Sequence, residues 1–192
     1  MSAIDTVLNT LIRVDGKILL LIQEYIRIPE LSPWVVRFTK LGNMGAIWIV
    51  IAILLLIPRK TRRAGILAIV SLIGSFCLVN LFLKGYVNRV RPAEVVSGLN
   101  CLVTTTDASF PSGHAAAGFA AATAIYKSTR KWVGVPCVIL AVLLSFSRLY
   151  VGAHYPSDVI CGAIIGFLIG LIVFWLFGEK KYKRRARRAR RR

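Results

Sequence analysis

Five stretches of the chain carry no Asp, Glu, Lys or Arg: residues 41–58, 64–83, 108–126, 132–147 and 159–178. Each is close to the ~17–25 mainly apolar residues that carry a helix across a hydrocarbon core. Residues 92–107 break the series. They open on Pro92 and hold Glu94 and three threonines, so they read as a loop. Ahead of the first run, Ile4, Val7, Leu8, Leu11 and Ile12 follow the i, i+3, i+4 spacing of an amphipathic helix. Arg13, Asp15 and Lys17 interrupt that segment, and it lacks the basic start of a signal peptide. A second apolar piece, residues 18–26, precedes Pro29 and Pro33. The pattern therefore predicts an all-α, polytopic membrane helical bundle with five spans. Residues 1–40 are expected to form one or two interfacial helices, 41–178 the transmembrane bundle, and 179–192 a basic tail. A tilted extra span through residues 18–28 would make six.

Composition supports a membrane chain. Of 192 residues 56% are hydrophobic, and a mean hydropathy of +0.67 is too high for an ordinary soluble domain. The net charge of +18 would suggest nucleic acid in a soluble protein, but its distribution points elsewhere. Residues 59–63 carry four basic side chains, 127–131 three, and the tail "KKYKRRARRARRR" ten. In a five-span arrangement these seventeen share one face, which the positive-inside rule makes cytoplasmic. The tail follows a span directly, so anionic lipid is its expected partner and nucleic acid is set aside. Cys77, Cys101, Cys137 and Cys161 have no CxxC spacing and read as apolar fillers, with no disulfide framework and no zinc site. Gly162, Gly166 and Gly170 form a small-xxx-small repeat. Packing against the chain's own spans is favoured over dimerisation.

The other face collects the chemistry. Both histidines, His114 and His154, stand at outer ends of spans. Either alone reads equally well as a solvated or hydrogen-bonded edge residue. In "SRLYVGAHYPSD" His154 and Asp158 are four apart, so one turn brings them together. A carboxylate on one imidazole nitrogen leaves the other free to attack. Asp158 is the sole acid between Asp107 and Glu179, and an acid heading a span needs a partner. In "KGYVNRVRP" the cations Lys84 and Arg91 fit interfacial snorkelling and a phosphate clamp equally well, and Arg89 fits snorkelling. Arg148 would add a second fork to a clamp. In "PSGH" Ser112 suits an N-cap and Gly113 lets a ligand approach the backbone, while the helix start favours an anion. Together these residues can bind a phosphoryl group, attack it and protonate its leaving oxygen, with His114 as general acid. There is no outer cluster of acids suited to magnesium and no G-x-x-x-x-G-K-[ST] loop, so metal-independent chemistry without a cofactor is expected.

The ordered set Lys84-x6-Arg91-Pro92, Pro111-Ser112-Gly113-His114 and Ser147-Arg148-x5-His154-x3-Asp158 resembles the three-part signature of the type 2 phosphatidic acid phosphatase family, which includes membrane lipid phosphatases and soluble vanadium haloperoxidases. The resemblance implies that His154 is the nucleophile of a phosphohistidine intermediate and Asp158 its orienting partner. It implies that His114 protonates the leaving group, and that Lys84, Arg91, Ser112, Gly113 and Arg148 hold the phosphoryl oxygens. Membrane members commonly have six spans, one more than the pattern counts here. The expected substrate is a lipid phosphate at the outer face of a bacterial cytoplasmic membrane, undecaprenyl pyrophosphate first. Phosphatidylglycerophosphate, phosphatidic acid and a lipid A phosphate follow. A lipid phosphotransferase using the same intermediate is the second reading. A non-catalytic headgroup binder or transporter is the third, although it would need neither the histidine pair nor Asp158.

Overall fold

The computed structural model describes residues 3–178, with side chains from residue 10 onward. The basic tail and the side chains of Ile4, Val7 and Leu8 lie outside the described residues. The described backbone is helical throughout its ordered elements. Helix α1 (Ala3–Leu21) runs on through a wider turn at Ile22–Ile26 and is followed by α2 (Ser32–Lys40) and α3 (Ala46–Leu56). Helix α4 (Arg62–Ser75) continues through a wider-turn stretch, Phe76–Leu83, into the short α5 (Lys84–Val87). A single turn, α6 (Pro92–Val95), interrupts the loop expected over residues 92–107. The last three helices are α7 (Gly113–Ser128), α8 (Lys131–Tyr150) and α9 (Pro156–Val173), the last prolonged by Phe174–Gly178.

Among the described residues, three stretches are long and apolar enough to cross a membrane: Arg62–Val95, Lys131–Tyr150 and Pro156–Gly178. A fourth joins if Ser32–Lys40 and Asn43–Leu56, bent by 50°, form one broken span. The stretch expected over 108–126 starts as a helix only at Gly113, because Ser112 stays extended (φ −66°, ψ 113°) after Pro111. At 16 residues α7 is shorter than a typical span, and it is the central element, with Ala115, Ala116, Ala120, Ala121, Ala122 and Ala124 fully buried. Its alanine surface lets neighbouring backbones come close. Its own Ile125 packs in the core with Trp48 of α3 and Leu144 of α8.

The glycine repeat of α9 meets this alanine face. A Cβ on Gly162 would sit 2.6 Å from the Ser112 carbonyl oxygen, and one on Gly170 2.7 Å from that of Ala120. Gly166 is closer still to the Ala116 carbonyl. The repeat thus serves packing within the chain. Because the obstacle is backbone, it cannot swing aside as a side chain could. Gly166→Ala is expected to separate α7 from α9 at a cost of about 1–3 kcal/mol, lowering Tm in detergent by about 3–10 °C. An unchanged Tm would refute this account of the contact.

Candidate active site

Four helix ends and the loops between them converge at one end of the bundle. The end of the Phe76–Leu83 stretch brings Lys84, and the extended segment before α6 brings Arg91. The start of α7 brings Ser112, Gly113 and His114. The last turn of α8 brings Arg148, the α8–α9 connection brings His154, and the first turn of α9 brings Asp158. That connection turns at Gly152, whose φ of +75° lies in the left-handed region that glycine adopts without a steric penalty. All eight residues singled out by the sequence meet here. Six of them, Lys84, Arg91, Gly113, His114, Arg148 and His154, line a cavity of about 880 Å³, and Ser112 and Asp158 are buried behind it.

His154 is 2% exposed, and its Nδ1 lies 2.8 Å from the Ser109 carbonyl oxygen. A carbonyl only accepts, so Nδ1 carries the proton and Nε2 keeps its lone pair. Asp158, expected as the direct imidazole partner, stands farther off, with Oδ2 3.7 Å from Nδ1. It acts one step behind. Ser109 Oγ donates to Asp158 Oδ2 at 2.5 Å, and the Tyr155 N–H donates to the same oxygen at 3.0 Å. Burial pushes the His154 pKa down to about 4; Asp158 opposes this, while Arg148 and Arg91 add to it. The ring is therefore neutral, and nucleophilic, near neutrality.

The cations are held just as closely. Arg91 donates from Nε to the Asp107 carbonyl at 2.8 Å, from Nη1 to the Ala153 carbonyl at 2.5 Å, and from Nη2 to Asp107 Oδ1 at 2.6 Å. Lys84 pairs with the other Asp107 oxygen. Two repelling cations thus share one carboxylate. Partial burial works to raise the Asp107 pKa, but Lys84 and then Arg91 outweigh it and pull it down to about 2. Arg148 is 3% exposed and donates from Nη1 to Thr39 Oγ1 at 2.9 Å. The Arg148 Nε and Ser112 Oγ are buried without a hydrogen-bond partner among the described residues. Ser112 occupies the N-cap position of α7 but makes no side-chain cap bond, so its hydroxyl is not spent on the helix. Beside it, a Cβ on Gly113 would stand 3.9 Å from Lys84 Nζ, which puts the amine over the helix start.

His114 Nε2 lies 3.2 Å from the Thr39 carbonyl oxygen. Its ring rests on Gly42, where a Cβ would come within 2.6 Å of His114 Cδ2. Several residues that shape the site were not singled out in the sequence. Thr39 and Gly42 carry no chemical signature. Asp107 read only as a loop acid, and Arg89 as a snorkelling cation. Arg89 instead donates to Asp158 Oδ1 at 2.5 Å and to Asp15 Oδ2 at 2.9 Å. Among the described residues, no group of three or more His, Cys, Asp or Glu side chains converges to hold a metal. All four cysteines are free.

The chain as a whole is similar to known proteins in sequence and in fold. Residues 64–182 match the PAP2 superfamily profile. The chain belongs to the PAP2 superfamily. It is 35% identical over 149 residues to an undecaprenyl-diphosphatase of Sulfolobus acidocaldarius, covering 77% of this chain and 71% of the relative. Its fold is similar to the crystal structure of Aquifex aeolicus LpxE, with TM-score 0.69 and 29% identity over 82% of this chain and 93% of that one. It is similar also to a PAP2-type phosphatidylglycerolphosphate phosphatase of Bacillus subtilis, with TM-score 0.68 and 27% identity over 88% of this chain and 86% of that one. As a PAP2 member, this chain is a multi-pass membrane protein and an enzyme acting on lipid phosphates.

Two outcomes test this geometry. Gly42→Ala adds one methyl group against the His114 ring and is expected to cut kcat at least ~10-fold; wild-type turnover would show that the ring is not held there. Asp107 has a depressed pKa, so its ion pairs stabilise the fold above its ordinary value of 3.8 and fade as pH falls toward about 2. Thermal stability should therefore drop across that window by more in wild type than in Asp107→Asn, as read by melting in detergent.

Proposed function

We propose that this chain is a lipid phosphatase that hydrolyses a prenyl pyrophosphate, undecaprenyl pyrophosphate first, through a phosphohistidine on His154. One observation carries the reading: a single cavity joins a cationic, histidine-bearing head to an apolar branch. Lys84, Arg91 and Arg148 form the head. Ile49, Ile53, Ile69, Leu72, Ile73 and Phe76 line the branch. Ile49 is also 44% exposed, Ile53 51% and Ile73 58%, so the apolar lining reaches the outer surface of α3 and α4, which lipid would cover. A phosphorylated headgroup fits the head and its hydrocarbon chain fits the branch.

The chemistry follows from the atoms. The phosphoryl oxygens take charge-assisted hydrogen bonds from the three cations, the Ser112 hydroxyl and the amides at the α7 start. The His154 Nε2 lone pair forms a bond to phosphorus as the bond to the leaving oxygen breaks, and that oxygen takes a proton from His114. The Ser109 carbonyl and Asp158 stabilise the positive charge that grows on the ring. Water then gives its proton to His114 and attacks phosphorus. The P–N bond breaks, and inorganic phosphate leaves. The cations supply the charge stabilisation that a metal provides in other phosphatases, so the reaction is metal-independent. Basic clusters at the far end of the helices support a cytoplasmic C-terminus and an extracytoplasmic site. The undecaprenyl-diphosphatase name of the Sulfolobus relative supports the choice of lipid.

Phosphate release by purified protein in detergent with EDTA is the test. Undecaprenyl pyrophosphate is expected to turn over faster than phosphatidylglycerophosphate or phosphatidic acid. His154→Ala should lose at least ~10³-fold in kcat. Loss of release in EDTA would overturn the metal-free chemistry, and a faster phosphatidic acid reaction would overturn the choice of substrate.

A further inference from the structure

We propose that Asp15, on the N-terminal helix α1, is a positioning residue for phosphoryl transfer: it holds Arg89 against Asp158 and caps the start of α9 from outside that helix. The proposal rests on the reading of His154 as nucleophile. The Arg89 guanidinium lies between two carboxylates, bonded to Asp158 Oδ1 at 2.5 Å through Nη1 and to Asp15 Oδ2 at 2.9 Å through Nη2. It also stacks 3.9 Å above the Tyr155 ring. Asp15 reaches past Arg89 to α9 itself. It accepts the Ser157 N–H on Oδ1 at 3.2 Å and the Ser157 hydroxyl on Oδ2. Ser157 is the second residue of α9, where backbone N–H groups have no acceptor within the helix. A carboxylate there also complements the positive end of the helix.

The packing of α1 shows that this contact is specific. Asp15 is 3% exposed and shares a helix face with buried Leu19 and Ile22, at i+4 and i+7. An acid in the middle of an apolar face is costly unless it is paired. An interfacial anchor would expose it. Here the chain of contacts runs from Asp15 through Arg89 to Asp158, then through Ser109 to the His154 ring. The two carboxylates share one guanidinium. Without Asp15, Arg89 is free to tilt and the α9 start loses an acceptor, so the turn that carries His154 loses its fixed position over the phosphate clamp. The effect falls on the attack step, because Asp15 does not line the cavity that holds the substrate.

Rapid-quench labelling with a ³²P-lipid pyrophosphate reads that step directly, as acid-labile phosphoenzyme, alongside steady-state kcat and KM. Asp15→Asn keeps the shape and is expected to slow phosphoenzyme formation and kcat on the order of 10-fold, with KM within about twofold. Asp15→Glu should recover part of the rate. Leu19→Ala, on the same face but without polar contacts, should lower Tm yet keep the labelling rate near wild type. A wild-type labelling rate in Asp15→Asn overturns the proposal, as does an equal loss of rate in Leu19→Ala at matched Tm. Should Asp15→Asn not fold, Asp15→Glu decides: a slowed rate at wild-type Tm supports positioning, and a wild-type rate overturns it. Absence of phosphoenzyme in the wild type would instead sink the His154 reading, a result distinguishable from failure of Asp15 alone.

Discussion

Asp158 is a carboxylate with no exposed surface, set in the first turn of an apolar helix. An ionised group in that position is tolerable only if its oxygens are fully engaged, and much of the surrounding structure exists to engage them. Arg89 takes one oxygen, and Ser109 and the Tyr155 amide take the other. Those three partners come from three separate segments. Satisfying a single buried charge therefore draws the α4–α6 connection, the segment before α7 and the α8–α9 connection to one point. The Ser109 carbonyl that this network immobilises then fixes the tautomer of His154. The same electrostatic demand that stabilises the site orients the proposed nucleophile.

A second charge cluster is balanced differently. Lys84 and Arg91 repel one another, and Asp107 neutralises part of that repulsion from a half-exposed position at the cavity. Among the described residues Arg148 pairs with no carboxylate and leans on the Thr39 hydroxyl. The head of the cavity is thus net positive and incompletely satisfied, an arrangement that favours a dianion over a neutral headgroup. Thr39 also accepts from His114 through its carbonyl, so the last turn of α2 ties a clamp residue to the proposed acid.

The helical core explains why these ends can be held with such accuracy. Alanines on α7 and glycines on α9 bring the two backbones into direct contact, and little side-chain freedom remains to blur their relative position. Bulky residues stand on the outer surfaces, where lipid fills the space. The catalytic end inherits its rigidity from an interface that contains almost no flexible atoms.

Hydropathy runs and the three spaced motifs pointed to an all-helical membrane bundle and to eight residues that the fold brings together, because apolar length and local spacing are properties of the chain itself. The count of five spans did not follow, since α7 is a short central helix and α2 and α3 are bent apart by 50°. Gly162, Gly166 and Gly170 declared a close helix contact for the same reason. The remainder depended on long-range neighbours. Asp15 lies 143 positions from Asp158, and its role appears only when α1 is docked and Arg89 stands between them. Gly42 looks like any loop glycine until the His114 ring is seen resting on it, and Asp107 like any loop acid until two cations close around it. Asp158 was legible as a buried acid in need of a partner, but the partner is chosen by distance in three dimensions. Sequence records which charges must be compensated; the tertiary structure decides which groups compensate them, since electrostatic energy depends on separation in space and not along the chain.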